Sequence, residues 1–248
     1  MSLLRTVNLK KHFGETRAVD GVDFVVTEGE VLALVGPNGA GKTSLVNLLS
    51  AYLTPDSGEI IFLDQDITNM SVTERIKAGI ARSFQIVNLF DDLTAFDNVA
   101  LSIFSRENKT LKLMSLADHD HEVNKETDEV LELFGLGGKG HILAKEMAQG
   151  ERKLLDVAVA YALRPKFLFL DEPTSGVSTR DKAQIMDTIS SVVRAGHITA
   201  AIVEHDMDVV FKYSDRIVVM SDGKILADGS PDEIRANKEV ETIFLGTG

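Results

Sequence analysis

The stretch Gly36-Pro37-Asn38-Gly39-Ala40-Gly41-Lys42-Thr43 constrains this chain more than any other because of what lies on either side of it. The apolar run Val31–Val35 comes before it, and Leu45, Leu48, Leu49 and Tyr52 come after it at helical spacing. That order is strand, glycine-rich turn, helix. In this context the pattern G-x4-G-K-[ST] is a phosphate-binding loop, whose glycines let backbone N–H groups turn inward around phosphate oxygens at a helix N-terminus. Gly36, Asn38, Gly39, Ala40, Gly41 and Ser44 are the expected cradle. Lys42 is expected to reach the β- and γ-phosphates of a nucleoside triphosphate, and the Thr43 hydroxyl to ligate Mg²⁺.

Composition narrows what can surround such a loop. With 248 residues the chain can bury a sizeable core, as one larger domain or a core carrying a subdomain. No apolar run approaches the roughly 20 residues needed to cross a bilayer, and no secretory leader pattern is visible. Any service to a membrane is expected from outside the lipid. There is no cysteine, which excludes disulfides, thiolate metal sites and thiol nucleophiles. A formal charge of −12 argues against a coat for nucleic acid phosphates.

Along the chain, Leu4–Leu9 and Val22–Val26 read as short strands with turns at His12-Phe13-Gly14-Glu15 and Glu28-Gly29-Glu30, a small antiparallel sheet ahead of the core strand. Phe13 offers a purine-stacking face or a core contact. Thr54–Glu59 is a turn and Ile60–Leu63 a strand, and Ser71–Ala78 is a short helix with Ser71 and Glu74 in capping-box arrangement. Ile80–Phe84 then leads to Gln85. From there the texture is helical, with Asn98–Phe104, Lys125–Phe134 and Glu151–Leu163 as the clearest segments, the last apolar nearly all round. Asp118-His119-Asp120-His121-Glu122 alternates ligand types, but adjacent positions do not converge on one ion, so a solvated loop is expected. Gly135–Gly140 lacks the strand that a dinucleotide fingerprint needs, and reads as a linker.

Phe167-Leu168-Phe169-Leu170 ends in Asp171-Glu172-Pro173. Four apolar residues followed by two carboxylates describe a central parallel strand whose carboxyl tip enters a site. Beside a phosphate loop, Asp171 is expected to bind Mg²⁺, through water, and Glu172 to polarise an attacking water. Residues 181–193 form an amphipathic helix closed by Gly196, and Ile198–Val203 is another buried strand with Glu204-His205 at its tip. A helix from Met207, a strand Arg216–Met220 and two further turns complete an alternating β/α order, hence a parallel sheet with an inserted helical block.

Phosphate loop, helical insert, strand-borne Asp-Glu and strand-tip histidine, in that order, resemble the ATP-binding subunit of an ABC transporter over nearly the whole chain. The resemblance implies a single ATP-binding domain over 1–248: an α/β P-loop NTPase (RecA-like) core at 1–85 and 166–225, with a small antiparallel β subdomain, an inserted α-helical subdomain at 86–165 and a tail at 226–248. It implies ATP and Mg²⁺ as cofactors, with Phe13 stacking on adenine, Gln85 sensing the metal, the attacking water and the membrane domain, and His205 contacting the γ-phosphate. The catalytic set is then Lys42, Gln85, Glu172 and His205, and the metal set Thr43, Gln85 and Asp171. The signature, usually Leu-Ser-Gly-Gly-Gln, falls at Met147-Ala148-Gln149-Gly150-Glu151, where Gly150 keeps its N–H for a partner's nucleotide while Ala148 lacks the usual hydroxyl. Ser178 replaces the aspartate that normally ends the D-loop.

Ala81–Gln85, Leu89–Thr94, Val203–Met207 and Phe244-Leu245-Gly246 look similar to ATP-binding subunits of branched-chain amino acid importers. This likeness implies an ATPase that powers solute import, of branched-chain or other amino acids, by closing head to tail on an identical or paralogous subunit. It would sit peripherally on the cytoplasmic side of the cell membrane, against permease subunits docked near Gln85–Phe96, and serve a substrate-binding protein indirectly, without nucleic acid. A soluble ABC ATPase outside transport and a weakly hydrolysing ATP-dependent interaction module are the alternatives.

Overall fold

Apolar residues recur along the first thirteen positions, and they form a 12-residue strand that buries Leu3, Leu4, Thr6 and Leu9. The computed structural model describes residues 1–83, 89–107 and 120–245, in two units, Met1–Ala78 with Ile198–Gly248 and Gly79–His197. In the first unit, β1 (Ser2–Phe13) turns at Gly14 into β2 (Thr16–Val22). The expected turn is there, but strand continues on both sides of it, because ladder pairing carries the polar residues Arg17 and Asp20 that hide β2 in the sequence. β3 (Val25–Thr27) also pairs with β1. After β4 (Val31–Val35) and α1 (Lys42–Leu49), β5 (Ser57–Phe62) and β6 (Gln65–Asp66) complete a five-stranded antiparallel sheet.

Helix α2 (Val72–Ala78) starts as its capping box demands, the Ser71 N–H donating to the Glu74 carboxylate at 2.8 Å and the Glu74 N–H to Ser71 Oγ at 3.4 Å. It also carries Arg75, which is 1% exposed. The Arg75 guanidinium donates to the carbonyls of Leu48, Ile67 (2.9 Å) and Thr68 (3.0 Å), so a cation closes the C-terminal end of α1 and ties it to the antiparallel layer. Burial pulls the guanidinium pKa down to about 10, still charged at neutral pH.

The second unit opens with β7 (Ile80–Ser83) and, among the described residues, packs α3 (Ala95–Arg106), α4 (His121–Leu133) and α5 (Gln149–Ala162) before β8 (Phe167–Asp171) and α6 (Thr179–Ala195). The expected helical segments all appear, each longer at its start, where Thr94 and Asp120 cap through their side chains. From Lys153 to Ala162 no residue of α5 is exposed, as an all-round apolar helix requires. Arg106 grips Glu126 with two 2.7 Å bonds and the Ala162 carbonyl at 2.8 Å, stapling the three helices together. β7 and β8 run parallel. Helix α6 ends at Gly196, but the left-handed residue is His197, φ 50°.

The first unit resumes with β9 (Thr199–Val203), α7 (Met207–Tyr213), β10 (Arg216–Ser221), β11 (Lys224–Gly229), α8 (Pro231–Arg235) and α9 (Lys238–Leu245). β10 and β9 flank β4, both parallel to it. β11 returns antiparallel through Asp222-Gly223, both at positive φ as a type I′ hairpin turn needs. Ala33, Val35, Val210, Ile217, Val219, Ile234 and Val240 form one core around the central strand.

Candidate functional site

The carboxyl end of β4 opens into the glycine-rich loop, and the loop's shape is set by backbone that only glycine can adopt. Gly36 sits at φ 148° and Gly41, the N-cap of α1, at φ 99°. A Cβ on Gly36 would collide with the Met220 carbonyl and one on Gly41 with the Ala18 carbonyl. Lys42, 6% exposed, lies back over the loop and donates to the carbonyls of Gly36 (2.7 Å) and Pro37 (3.0 Å). Asn38, Gly39 and Thr43 are exposed, Ala40 is buried and Ser44 is half-buried. The first turn of α1 holds no acidic residue, which suits an anion at its N-terminus. A closed loop of inward backbone, a lysine and an exposed hydroxyl fit a polyphosphate with a divalent cation.

Two other expected residues share this unit. Leu34 pairs in parallel with Val203, so Gly36 and His205, each two residues on, follow the carboxyl ends of adjacent parallel strands. His205 is exposed at the β9 tip; its N–H donates to Glu204 Oε2 at 3.2 Å, and Asp206 caps α7 behind it. Phe13 ends β1 with 48% of its surface exposed and Lys11 Nζ 5.7 Å from its ring centre. Of its two sequence readings the core contact is excluded, and an aromatic face is left open to solvent.

The second unit holds the two carboxylates at the end of β8. Asp171 is 6% exposed, and its Oδ2 accepts from Arg82 Nη2 at 2.6 Å. Removing one partner of a buried pair typically costs about 3–5 kcal/mol. Glu172 is half-buried and sits at φ 46°, a conformation that a non-glycine residue adopts only when its surroundings enforce it. Part of that enforcement is Lys153, 4% exposed on α5, whose ammonium donates to the Glu172 carbonyl (3.3 Å) and to Ser175 Oγ (3.0 Å). The Ser175 N–H bonds the same carbonyl at 3.1 Å.

The divergent signature caps α5. Ala148 and Gln149 are exposed and Gly150 half-buried, and the Ala148 N–H donates to Glu151 Oε2 at 3.1 Å. Glu151 is ion-paired to Lys139, which neutralises the charge that replaces the family glutamine. Ser178 is the N-cap of α6, its hydroxyl donating to Asp181 Oδ2 at 2.7 Å. Phe90 projects from its loop with 63% exposure, while buried Asn98 fixes the loop backbone by accepting from the Phe90 N–H (2.9 Å) and donating to the Phe90 and Thr94 carbonyls (3.1 and 2.8 Å). Leu93 and Phe96 are half-buried. Gln85 lies outside the described residues, as do Asp118 and His119 of the acidic-histidine piece and Gly246. Asp120 of that piece caps α4, and among the described residues no group of three or more His, Asp and Glu side chains is placed to hold a metal ion.

A family model described as "ABC transporter" matches residues 19–175, more than half of the chain. The chain belongs to the ABC transporter family. It is an ATP-binding cassette and an ATPase, the catalytic subunit type of that family. It is 31% identical to the probable branched-chain amino acid transport ATP-binding protein LivG of Methanocaldococcus jannaschii, over 99% of this chain and 98% of the relative. It is 32% identical to LivG of Escherichia coli K12, covering 98% of each. An Fe(3+) ions import ATP-binding protein, FbpC of Photobacterium profundum, is 32% identical, but the match covers only 61% of that protein. Among solved structures, the ADP conformation of the cassette MJ1267 superposes with a TM-score of 0.88 at 31% identity, covering 99% of both chains. The α/β P-loop fold expected from the sequence is thereby established.

Three residues of this cassette are not singled out by the sequence: Arg82, Lys153 and Asn98. Each is a polar or charged side chain within a segment read as strand or helix, and burial there is permitted only with partners.

Proposed function

We propose that this cassette powers the import of amino acids, branched-chain ones foremost, through a separate membrane permease that it joins from the cytoplasmic face. The observation that carries the reading is the end-to-end likeness to LivG proteins, 99% of this chain against 98% of the relative, where the iron-import relative is matched over only 61% of its length. Among the described residues no helix is long and apolar enough to cross a membrane. Lys42 and the loop amides would hold the triphosphate, with His205 at its γ-end and the open face of Phe13 against the adenine. Thr43 and Asp171 would hold Mg²⁺, with Gln85 as a further ligand from the sequence. The bound ion supplies charge neutralisation on the phosphate oxygens. Glu172 would take the proton of the attacking water.

A second copy or a paralogue would present its Gly150 N–H to this nucleotide, and Ala148 makes that closure weaker than a serine would. A hydrogen bond to a charged group is worth about 1.5–3 kcal/mol. Ala148→Ser should therefore raise ATP-dependent dimerisation measured by light scattering; an unchanged dimer fraction argues against the closure. Phe90, held outward by Asn98, would be the apolar contact for the permease. In membrane vesicles carrying the permease, Phe90→Asp should abolish uptake while the isolated chain keeps its ATPase rate; equal loss of both refutes the docking. Uptake of labelled leucine or valine against other solutes decides the substrate.

A further inference from the structure

We propose that Arg82 is a built-in counter-ion of Asp171, one that a divalent cation arriving with nucleotide has to displace. The inference rests on the reading of Asp171 as a metal carboxylate and adds a residue to which the sequence reading gives no role. The pairing arises from strand register. Arg82 pairs in parallel with Phe169, and side chains alternate along a strand, so Arg82, Phe169 and Asp171 share one face of the β7–β8 ladder. The diagonal from Arg82 to Asp171 is within reach of a long side chain, and the guanidinium closes on Oδ2 at 2.6 Å. Both side chains are nearly enclosed, 9% and 7% exposed, so solvent and salt screen the pair little.

A carboxylate oxygen held this way is already neutralised. A divalent ion recruited by the same carboxylate would face the guanidinium across a few ångströms of poorly screened space, and like charges there oppose each other strongly. Either the arginine leaves or the metal binds weakly. Arg82 stands next to the last residue of β7, with Gln85 three residues further along the chain. Release of its side chain is therefore an event at the start of the segment that carries the expected metal-sensing glutamine. The arginine does two things: it keeps a buried carboxylate compensated without nucleotide, and it sets a threshold that bare metal does not pass.

The test uses the full chain with saturating ADP and Mn²⁺ as the probe, titrated by electron paramagnetic resonance. Arg82→Met should tighten Mn²⁺ binding about tenfold, Arg82→Gln should do the same, and Arg82→Lys should return the affinity toward wild type. Thermodynamic reciprocity adds a second readout. In urea unfolding, Arg82→Met should lower the midpoint without ligand, and the gap to wild type should narrow once Mn²⁺ and ADP are present. A purely structural arginine would lower both midpoints equally and leave or weaken the Mn²⁺ affinity, and that result overturns the proposal. Should Arg82→Met not fold, Arg82→Gln decides the matter by the same two readouts. A wild-type chain that binds no Mn²⁺ with ADP, or an Asp171→Asn variant that binds it as well as wild type, overturns the reading of Asp171 itself and this proposal with it.

Discussion

The phosphate loop and the tip of β8 are both carboxyl ends of parallel strands, yet they are built in opposite ways. The loop is made of backbone: glycines at positive φ, packed so closely on Ala18 and Met220 that no other residue fits, with one lysine resting on its carbonyls. The tip of β8 is made of side chains: two carboxylates, a largely enclosed arginine on one of them, and a lysine that holds the strained residue in place. A backbone device binds whatever carries phosphate, and its conformation is fixed by local sequence. A side-chain device can be charged, neutralised or shifted, so it suits the step that must be switched on. The contrast is between holding and acting.

The largest expected effect would break the two apart. Glu172→Gln removes the proposed proton acceptor, and general-base groups contribute about 10²–10⁴-fold to rate. Turnover should fall by at least about 10²-fold while ATP affinity, read by isothermal titration, stays within about threefold. Lys42→Met should do the reverse, losing measurable ATP binding. If Glu172→Gln retains more than a tenth of the rate, the tip of β8 is not where the proton goes.

Stability offers a second contrast, with opposite signs. Gly41→Ala puts a Cβ against the Ala18 carbonyl at φ 99°, and should cost at least about 2 kcal/mol along with the nucleotide site. Glu172→Gly relieves a non-glycine residue at φ 46° and should stabilise by about 1 kcal/mol while abolishing turnover. Urea midpoints for the two variants should fall on opposite sides of wild type. A destabilised Glu172→Gly would mean that the carboxylate contributes more to packing than its backbone costs.

The same difference explains what is legible in the sequence. Gly36–Thr43 can be read outright, because glycine spacing encodes backbone shape and the flanking strand and helix announce themselves by period. The identity of Asp171 and Glu172 is equally plain, but their condition is not, since Arg82 lies 89 residues away and only strand register joins them. Phe13 shows the converse: residue type points inward, and the end of an antiparallel hairpin turns it out. Strand β2 leaves little trace because pairing with β1 stabilises residues of low strand propensity. The pinning of Phe90 by Asn98 is hidden for a further reason: a polar side chain satisfying a loop backbone has no periodic signature.

The smallest effect belongs to Lys153, and it asks whether the tip of β8 is held or merely present. Its ammonium is buried and bonds the carbonyl of Glu172 and the hydroxyl of Ser175, so it acts on the backbone beneath the carboxylate. Methionine at this position keeps the stem's volume and loses the donors. A net hydrogen bond is worth about 1 kcal/mol, which spread over the orientation of Glu172 corresponds to a roughly three- to tenfold fall in kcat. KM for ATP should not move, because the phosphate loop draws its shape from its own glycines and from Lys42. If instead KM rises at constant kcat, Lys153 serves binding, and the division between a loop that holds and a strand tip that acts fails at the residue meant to maintain it.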